Sequence, residues 1–236
     1  MRITIHQPEH IPWLGVMYKL TRVEYLVILD NVQFRKNYFG NRNRVMGPQG
    51  PTYVTVPVHL SGHTSNTYRD IQIVQDNKWR KRYLGILRDG YRKHPFFQDY
   101  FSAMQEILDR PWTHVAALNE EIIRFLCRSL DLSIPMVRAS EMDLPKSRST
   151  ELLLHICRKV GATEYLAGSQ AGNYLQEDLF EAEGVKVLHT DFVHPTYPQQ
   201  GTREFVSHLG SLDLLMNCGP QASRIVRACG ASSNEK

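Results

Sequence analysis

Between His6 and Asn43 the chain gathers most of the side chains that could do chemistry. The run His6-Gln7-Pro8-Glu9-His10 holds two imidazoles, which titrate near neutrality and so suit proton transfer. Asp30 closes a second apolar run just as His6 closes the first, and polar groups at the ends of buried strands are the usual material of an α/β site. In Asn41-Arg42-Asn43 two carboxamides flank a guanidinium, a set that can satisfy a carboxylate, a phosphate or a sugar diol. His6 and His10 would share a side of an extended segment, with Pro8 between them, and this raises metal binding. No second ligand cluster and no His-Glu-x-x-His pattern supports it, so no metal is expected. The spacing also differs from the His-x-Gly-His of nucleotidyltransferases.

These residues need elements to hold them. Ile3 to Ile5 reads as a strand that delivers His6, and Glu24 to Leu29 as a buried strand that delivers Asp30. Pro12 suits the first turn of a helix through Trp13, Val16, Met17 and Leu20. Asp30 to Gly50 reads as a polar loop ending in a Gly-Pro-Gln-Gly-Pro turn cluster. Thr52 to Leu60 alternates as a strand, at an edge because of Pro57, with Tyr68 to Val74 as its hairpin partner. From Asn77 the period becomes helical: one helix through Trp79, Tyr83 and Leu87, a second from Pro95, and a third after Trp112. The cations around the first of these, Lys78 to Arg82, read as a solvated face.

Alternation of strand and helix then returns. Met136 to Ala139, Thr163 to Ala167 and Val185 to Leu188 are strands. Ser149 or Thr150 caps a helix that stops at Gly161, and Cys157 lies on its buried arc as a packing residue. Gly168 to Gly172 is a turn, and Leu212 to Met216 is helical or strand-like. The expected fold is α/β, a mostly parallel Rossmann-like sheet with an inserted β-hairpin and a central helical lobe. Residues 1–236 form a single α/β domain, with 77–131 as the helical insertion and 231–236 as a frayed tail.

Composition limits the function. With 236 residues the chain can bury a sizeable core, and it contains no run of about 18 apolar residues that could span a membrane. The N-terminus turns polar too soon for a signal peptide, and the four cysteines have neither zinc nor redox spacing. A cytoplasmic protein with free thiols is expected. A formal charge of +4 fits an anionic small substrate and is too weak to imply DNA.

The ordered set of residues resembles the WbqC-like family of bacterial polysaccharide-cluster proteins over nearly the whole chain. It begins with His6-Gln7-Pro8, Pro12-Trp13, Gly15, Lys19 and Asp30. It continues through Val32-Gln33-Phe34, Lys36, Asn41-Arg42-Asn43, Gly50, Thr55-Val56-Pro57-Val58 and Trp79. Tyr165-Leu166, Gly168, Tyr174-Leu175, Phe180 and Gly184-Val185 follow, then Pro195, Tyr197, Gln199, Phe205, Leu212-Asp213-Leu214-Leu215 and Gly219. Two positions depart from the pattern: Gly210 stands where the family usually has serine, and His10 where tyrosine is common.

The resemblance implies a role in O-antigen or secondary-metabolite assembly, as a glycyl- or aminoacyltransferase acting on an amino sugar. On that expectation His6 is the base, Asp30 orients it or binds the acceptor amine, and Lys36 completes the catalytic set. Lys36 also joins Asn41, Arg42 and Asn43 in holding an anionic or polyol part. Gln7, Trp13, Lys19, Gln33, Tyr197, Gln199 and Asp213 are expected to bind substrate, the last three forming a wall opposite the first segment. No cofactor is expected; the acyl donor is a carrier-protein thioester or an aminoacyl-tRNA. The alternatives are an ATP-dependent nucleotidyltransferase or ligase, with His6 and Lys36 on the phosphates, and a non-catalytic sugar- or nucleotide-binding protein.

Overall fold

The structure, a computed structural model, describes residues 1–61, 65–168 and 175–230. Five strands, β1 (Arg2–His6), β2 (Tyr25–Ile28), β5 (Met136–Arg138), β6 (Glu164–Ala167) and β7 (Lys186–His189), form one parallel sheet in the order β5-β2-β1-β6-β7. The short apolar runs have the composition that such a sheet demands, because both of its faces are covered. Ile3, Ile5 and Val27 pack into a core with α5 (Ser149–Val160) and α6 (Glu177–Ala182). Leu26 and Ile28 pack on the other face with α1 (Leu14–Leu20). That larger core also takes in α2 (Asn77–Tyr91), α3 (Phe97–Asp109), α4 (Val115–Ser129), α7 (Leu212–Cys218) and α8 (Gln221–Arg227). The expected α/β fold with its helical centre is therefore present.

The strand order reverses at β1. The chain leaves β1 to build β2 and β5 on one side, then returns to build β6 and β7 on the other. Pairing of β1 with β2 continues to His6 opposite Ile28, whereas its register with β6 ends at Ile3 opposite Tyr165. Beyond that point the Thr4 hydroxyl donates to the Leu166 carbonyl at 2.8 Å. Strands that part at their carboxyl ends on either side of a reversal leave the crevice where open α/β sheets take ligands. His6 stands at its lip.

The hairpin differs from expectation. It is formed by β3 (Arg42–Gly47) and β4 (Gly50–Thr55), paired from Arg42 opposite Thr55 to Gly47 opposite Gly50 around Pro48-Gln49. The polar look of Asn41 to Arg44 concealed a strand whose Asn43, Val45 and Met46 are buried. The partnership expected for Tyr68 to Val74 survives as a single bridge, Val58 to Ile73, with hydrogen bonds from His59 N to Gln72 O and from Val74 N to Pro57 O. The helix α5 ends at Gly161 as read, but its capping position is Arg148, with no side-chain cap, and Ser149 takes φ 51°. Asp76 caps α2 by accepting from Lys78 N. The turn read at Gly168 to Gly172 lies, except for Gly168, outside the described residues, as does the tail 231–236. No helix among the described residues is long and apolar enough to cross a membrane.

Candidate active site at the carboxyl end of β1

The chain does not stay extended after β1. Glu9 N donates to Gln7 O at 2.8 Å, a three-residue turn that folds Glu9 back onto His6. Glu9 Oε1 lies 3.4 Å from His6 Nε2, while Lys19 Nζ, from the last turn of α1, lies 3.2 Å from His6 Nδ1. The imidazole thus bridges a carboxylate and an ammonium. Glu9 and Lys19 are 7% and 4% exposed, and the His6 side chain, at 24%, is the member that opens outward. Burial, then the Lys19 charge, hold His6 below its usual pKa against the opposing pull of Glu9. Burial brings the Lys19 amine down to about 8, with Glu9 partly offsetting it.

These shifts couple the ionisation of Lys19 to the tautomer of His6. When Lys19 is an ammonium it donates to Nδ1, so neutral His6 carries its proton on Nε2, towards Glu9. When Lys19 is a free amine it can accept from Nδ1–H, and Nε2 becomes a bare lone pair. In addition, His6 Nε2 and Glu9 Oε2 are covered atoms that make no hydrogen bond. Unsatisfied buried polar atoms are rare enough to call for an explanation, and two stand together at this switch point. Gln7 Oε1 accepts from the Tyr68 hydroxyl at 3.1 Å along the same edge.

The next residues are strained. Ile11 takes φ 42°, a region costly for a β-branched side chain. Asn43 holds the strained turn in place by donating to the carbonyls of His10 (3.0 Å) and Ile11 (2.8 Å). His10 points away from His6, into a sealed network with Asn119 Oδ1 and the Tyr83 hydroxyl, each at 2.8 Å. Burial lowers its pKa to about 4, so it is a neutral structural residue, and the shared His6–His10 face does not form.

The other candidates divide sharply. Both carboxylate oxygens of Asp30 accept from Ser140, from its N–H at 2.9 Å and its hydroxyl at 2.6 Å, so Asp30 ties the end of β2 to the segment after β5 and does not orient His6. Lys36 is exposed between β2 and β3, and the cation beside His6 is Lys19. Asn41 bonds Val56 O, Arg42 bonds Asn37 O and lies over the Tyr53 ring, and Asn43 serves the Ile11 turn. The Asn-Arg-Asn triplet thus satisfies the protein's own backbone. Gln33 is exposed and bridges Thr67 through its backbone. Trp13 is stacked on His208 and set edge-on against Phe192.

Tyr197, Gln199 and Asp213 do come together, but inward. Asp213 is wholly buried and accepts from Tyr91 (2.9 Å), Tyr197 (2.9 Å) and Gln199 (2.8 Å). Burial raises its pKa. This segment meets the first through Trp13 paired with Gly210 and Ser211 N donating to Pro12 O, by backbone and without opposed polar walls. A Cβ at Gly210 would lie 2.7 Å from Ile11 Cγ2 and 3.0 Å from its carbonyl oxygen, which explains a glycine in contact with the strained turn. All four cysteines are buried, and burial pushes Cys127 and Cys157 up to about 12 and Cys218 and Cys229 to about 11, so none presents a thiolate. Glu9 is the residue that sequence reasoning passed over; its signal was an acid three positions after a strand-end histidine.

Fold and cluster together define an α/β protein with a titratable site at the switch point of a parallel sheet. The chain belongs to the WbqC-like protein family, which it matches over residues 7–225. It is 28% identical over 229 residues to the uncharacterized protein Rv1507c of Mycobacterium tuberculosis (strain ATCC 25618 / H37Rv), covering 97% of this chain and 98% of that protein. No solved structure matches the chain.

Proposed function

We propose that the protein transfers an acyl group, in one form an aminoacyl group, to the amine of a small sugar-like acceptor in polysaccharide or secondary-metabolite assembly. The observation that carries this reading is the Glu9–His6–Lys19 cluster, with its two unsatisfied polar atoms, at the lip of the β1/β6 crevice. Transfer to an amine needs a base that is neutral at working pH and can pass on the proton it takes. Burial holds His6 neutral, reinforced by Lys19 while it is an ammonium, and Glu9 stands ready to stabilise the imidazolium. With Lys19 as the free amine, Nε2 takes the proton as the acceptor nitrogen bonds to the donor carbonyl. The carbon–sulfur or carbon–oxygen bond of the activated donor then breaks, and the proton leaves on the departing thiol or hydroxyl. The donor is a carrier-protein thioester or an aminoacyl-tRNA. The test is mass spectrometry of nucleotide-linked amino sugars incubated with the protein and a panel of both donor classes. One donor–acceptor pair should gain the mass of the acyl group; no gain with any donor, using folded protein, refutes the reading.

A further inference from the structure

Away from the Glu9–His6–Lys19 cluster, a cleft lies on the same carboxyl edge of the sheet. It has a volume of about 290 Å³ and opens over the carboxyl ends of β2 and β5, lined by Asn31, Ala139 and Ser140 and by parts of the 67–69 and 142–152 segments. Ala139 and Leu152 belong to the core shared with α5, whereas His6 meets Lys19 on α1. The sheet edge therefore separates this cleft from the Glu9–His6–Lys19 cluster.

Its walls are of two kinds. Met142, Leu144, Pro145 and Leu152 supply apolar lining. The remaining lining includes the hydroxyl residues Thr67, Ser140 and Ser147 and the cations Arg69 and Lys146. Lys146 is exposed and has no ion pair among the described residues. Arg69 is 55% exposed and its Nε lies 3.6 Å from Asp70 Oδ1, while the other oxygen of Asp70 accepts from the N–H and hydroxyl of Thr67. Asp30 is 1% exposed and covered by Ser140, and the exposed carboxylates Glu141 and Asp143 flank lining residues in sequence without themselves lining the cleft. The charged residues that line the cleft are thus Arg69 and Lys146, both cations.

We infer that this cleft binds a nucleoside phosphate, free or as the nucleotide portion of a larger metabolite. A flat base lies against the apolar lining, the ribose and base edges meet the hydroxyls, and the phosphate reaches Arg69 and Lys146 in charge-assisted bonds. The volume stands near the lower bound of ordinary ligand pockets, of roughly 300 Å³, which suits one nucleotide and little more. The location, outside the carboxyl ends of parallel strands, is the one such sheets use for ligands. Nothing in this assignment depends on the transfer reaction proposed above.

The test is calorimetric titration of the whole protein with UMP, AMP, uridine and inorganic phosphate. It is run on wild type, on Arg69→Ala/Lys146→Ala and on His6→Ala; the double variant alters only exposed side chains. Wild type should bind UMP or AMP saturably, the double variant at least tenfold more weakly, and His6→Ala as tightly as wild type. Failure of the transfer assay would leave that pattern intact. The inference is overturned if neither nucleotide binds at millimolar concentration, or if the double variant binds as well as wild type. Loss of binding in His6→Ala would also overturn it, by placing the nucleotide at the other site. Equal affinity for inorganic phosphate would overturn the nucleoside assignment.

Discussion

Acidification should weaken the fold through one side chain more than any other, His10. Its imidazole is fully enclosed, with Asn119 Oδ1 accepting from Nδ1–H and the Tyr83 hydroxyl donating to Nε2. The Asn119 amide in turn donates to Pro8 O and Gly40 O, each at 2.7 Å. Protonating Nε2 would set a second N–H against the Tyr83 hydroxyl in a buried place, and burial accordingly lowers the pKa from 6.5 to about 4. The unfolded chain then binds a proton that the folded one refuses, so the stabilising contribution is complete above pH 6.5 and is lost as pH falls towards 4. A gap of about 2.5 units corresponds to about 3 kcal/mol in full, and to about 2 kcal/mol between pH 7 and 5. Urea unfolding of wild type and His10→Gln across pH 7 to 5 measures it, because glutamine keeps polar contacts but cannot titrate. Burial also lowers His6, His94 and His194, and these act in both proteins, so the difference between the two isolates His10. Wild type should lose about 2 kcal/mol more than the variant over that interval. Parallel losses would refute the buried neutral imidazole.

Three further outcomes follow from the contacts. If Lys19 sets the His6 tautomer, the pH–rate profile of transfer rises through about 8, and Lys19→Met moves that limb to the lower pKa of His6; an unmoved limb would remove Lys19 from the mechanism. Ser140→Ala leaves the buried Asp30 carboxylate with one donor fewer, and should cost about 1–3 kcal/mol in denaturant titration while transfer by the folded fraction is unchanged. Gly210→Ser should destabilise by about 1–3 kcal/mol because its Cβ meets Ile11; thermal unfolding without loss would show that the Ile11 turn yields.

The frame of the molecule was legible because its causes are local. Ile3 to Ile5, Tyr25 to Leu29 and Thr163 to Ala167 are short apolar runs that only a covered parallel sheet uses, and His6 is visible as a polar residue at the end of one. The helical stripe through Trp79, Tyr83 and Leu87 was equally plain. What escaped depends on partners distant in sequence. Asn43 reads as a loop residue until its bonds to the carbonyls of His10 and Ile11 are seen, more than thirty positions away. Asp213 reads as a site acid, yet Tyr91, 122 positions earlier, helps to seal it inside. Asp30 was placed at a strand end correctly, but its acceptor capacity is taken by Ser140, 110 positions later. Glu9 is the opposite case, a local effect hidden by the assumption that Pro8 keeps the chain extended, when a hydrogen bond from Glu9 N to Gln7 O closes a turn instead.

In the proposed reaction the imidazole at the end of β1 takes the acceptor's proton. Its most direct test is the rate of acyl mass gain by His6→Ala and wild type on the same donor–acceptor pair, with acceptor affinity measured alongside. A general base contributes roughly 10²–10⁴-fold, so the variant should fall by at least about a hundredfold while still binding the acceptor. A rate within a few fold of wild type would contradict the account and move the chemistry away from His6.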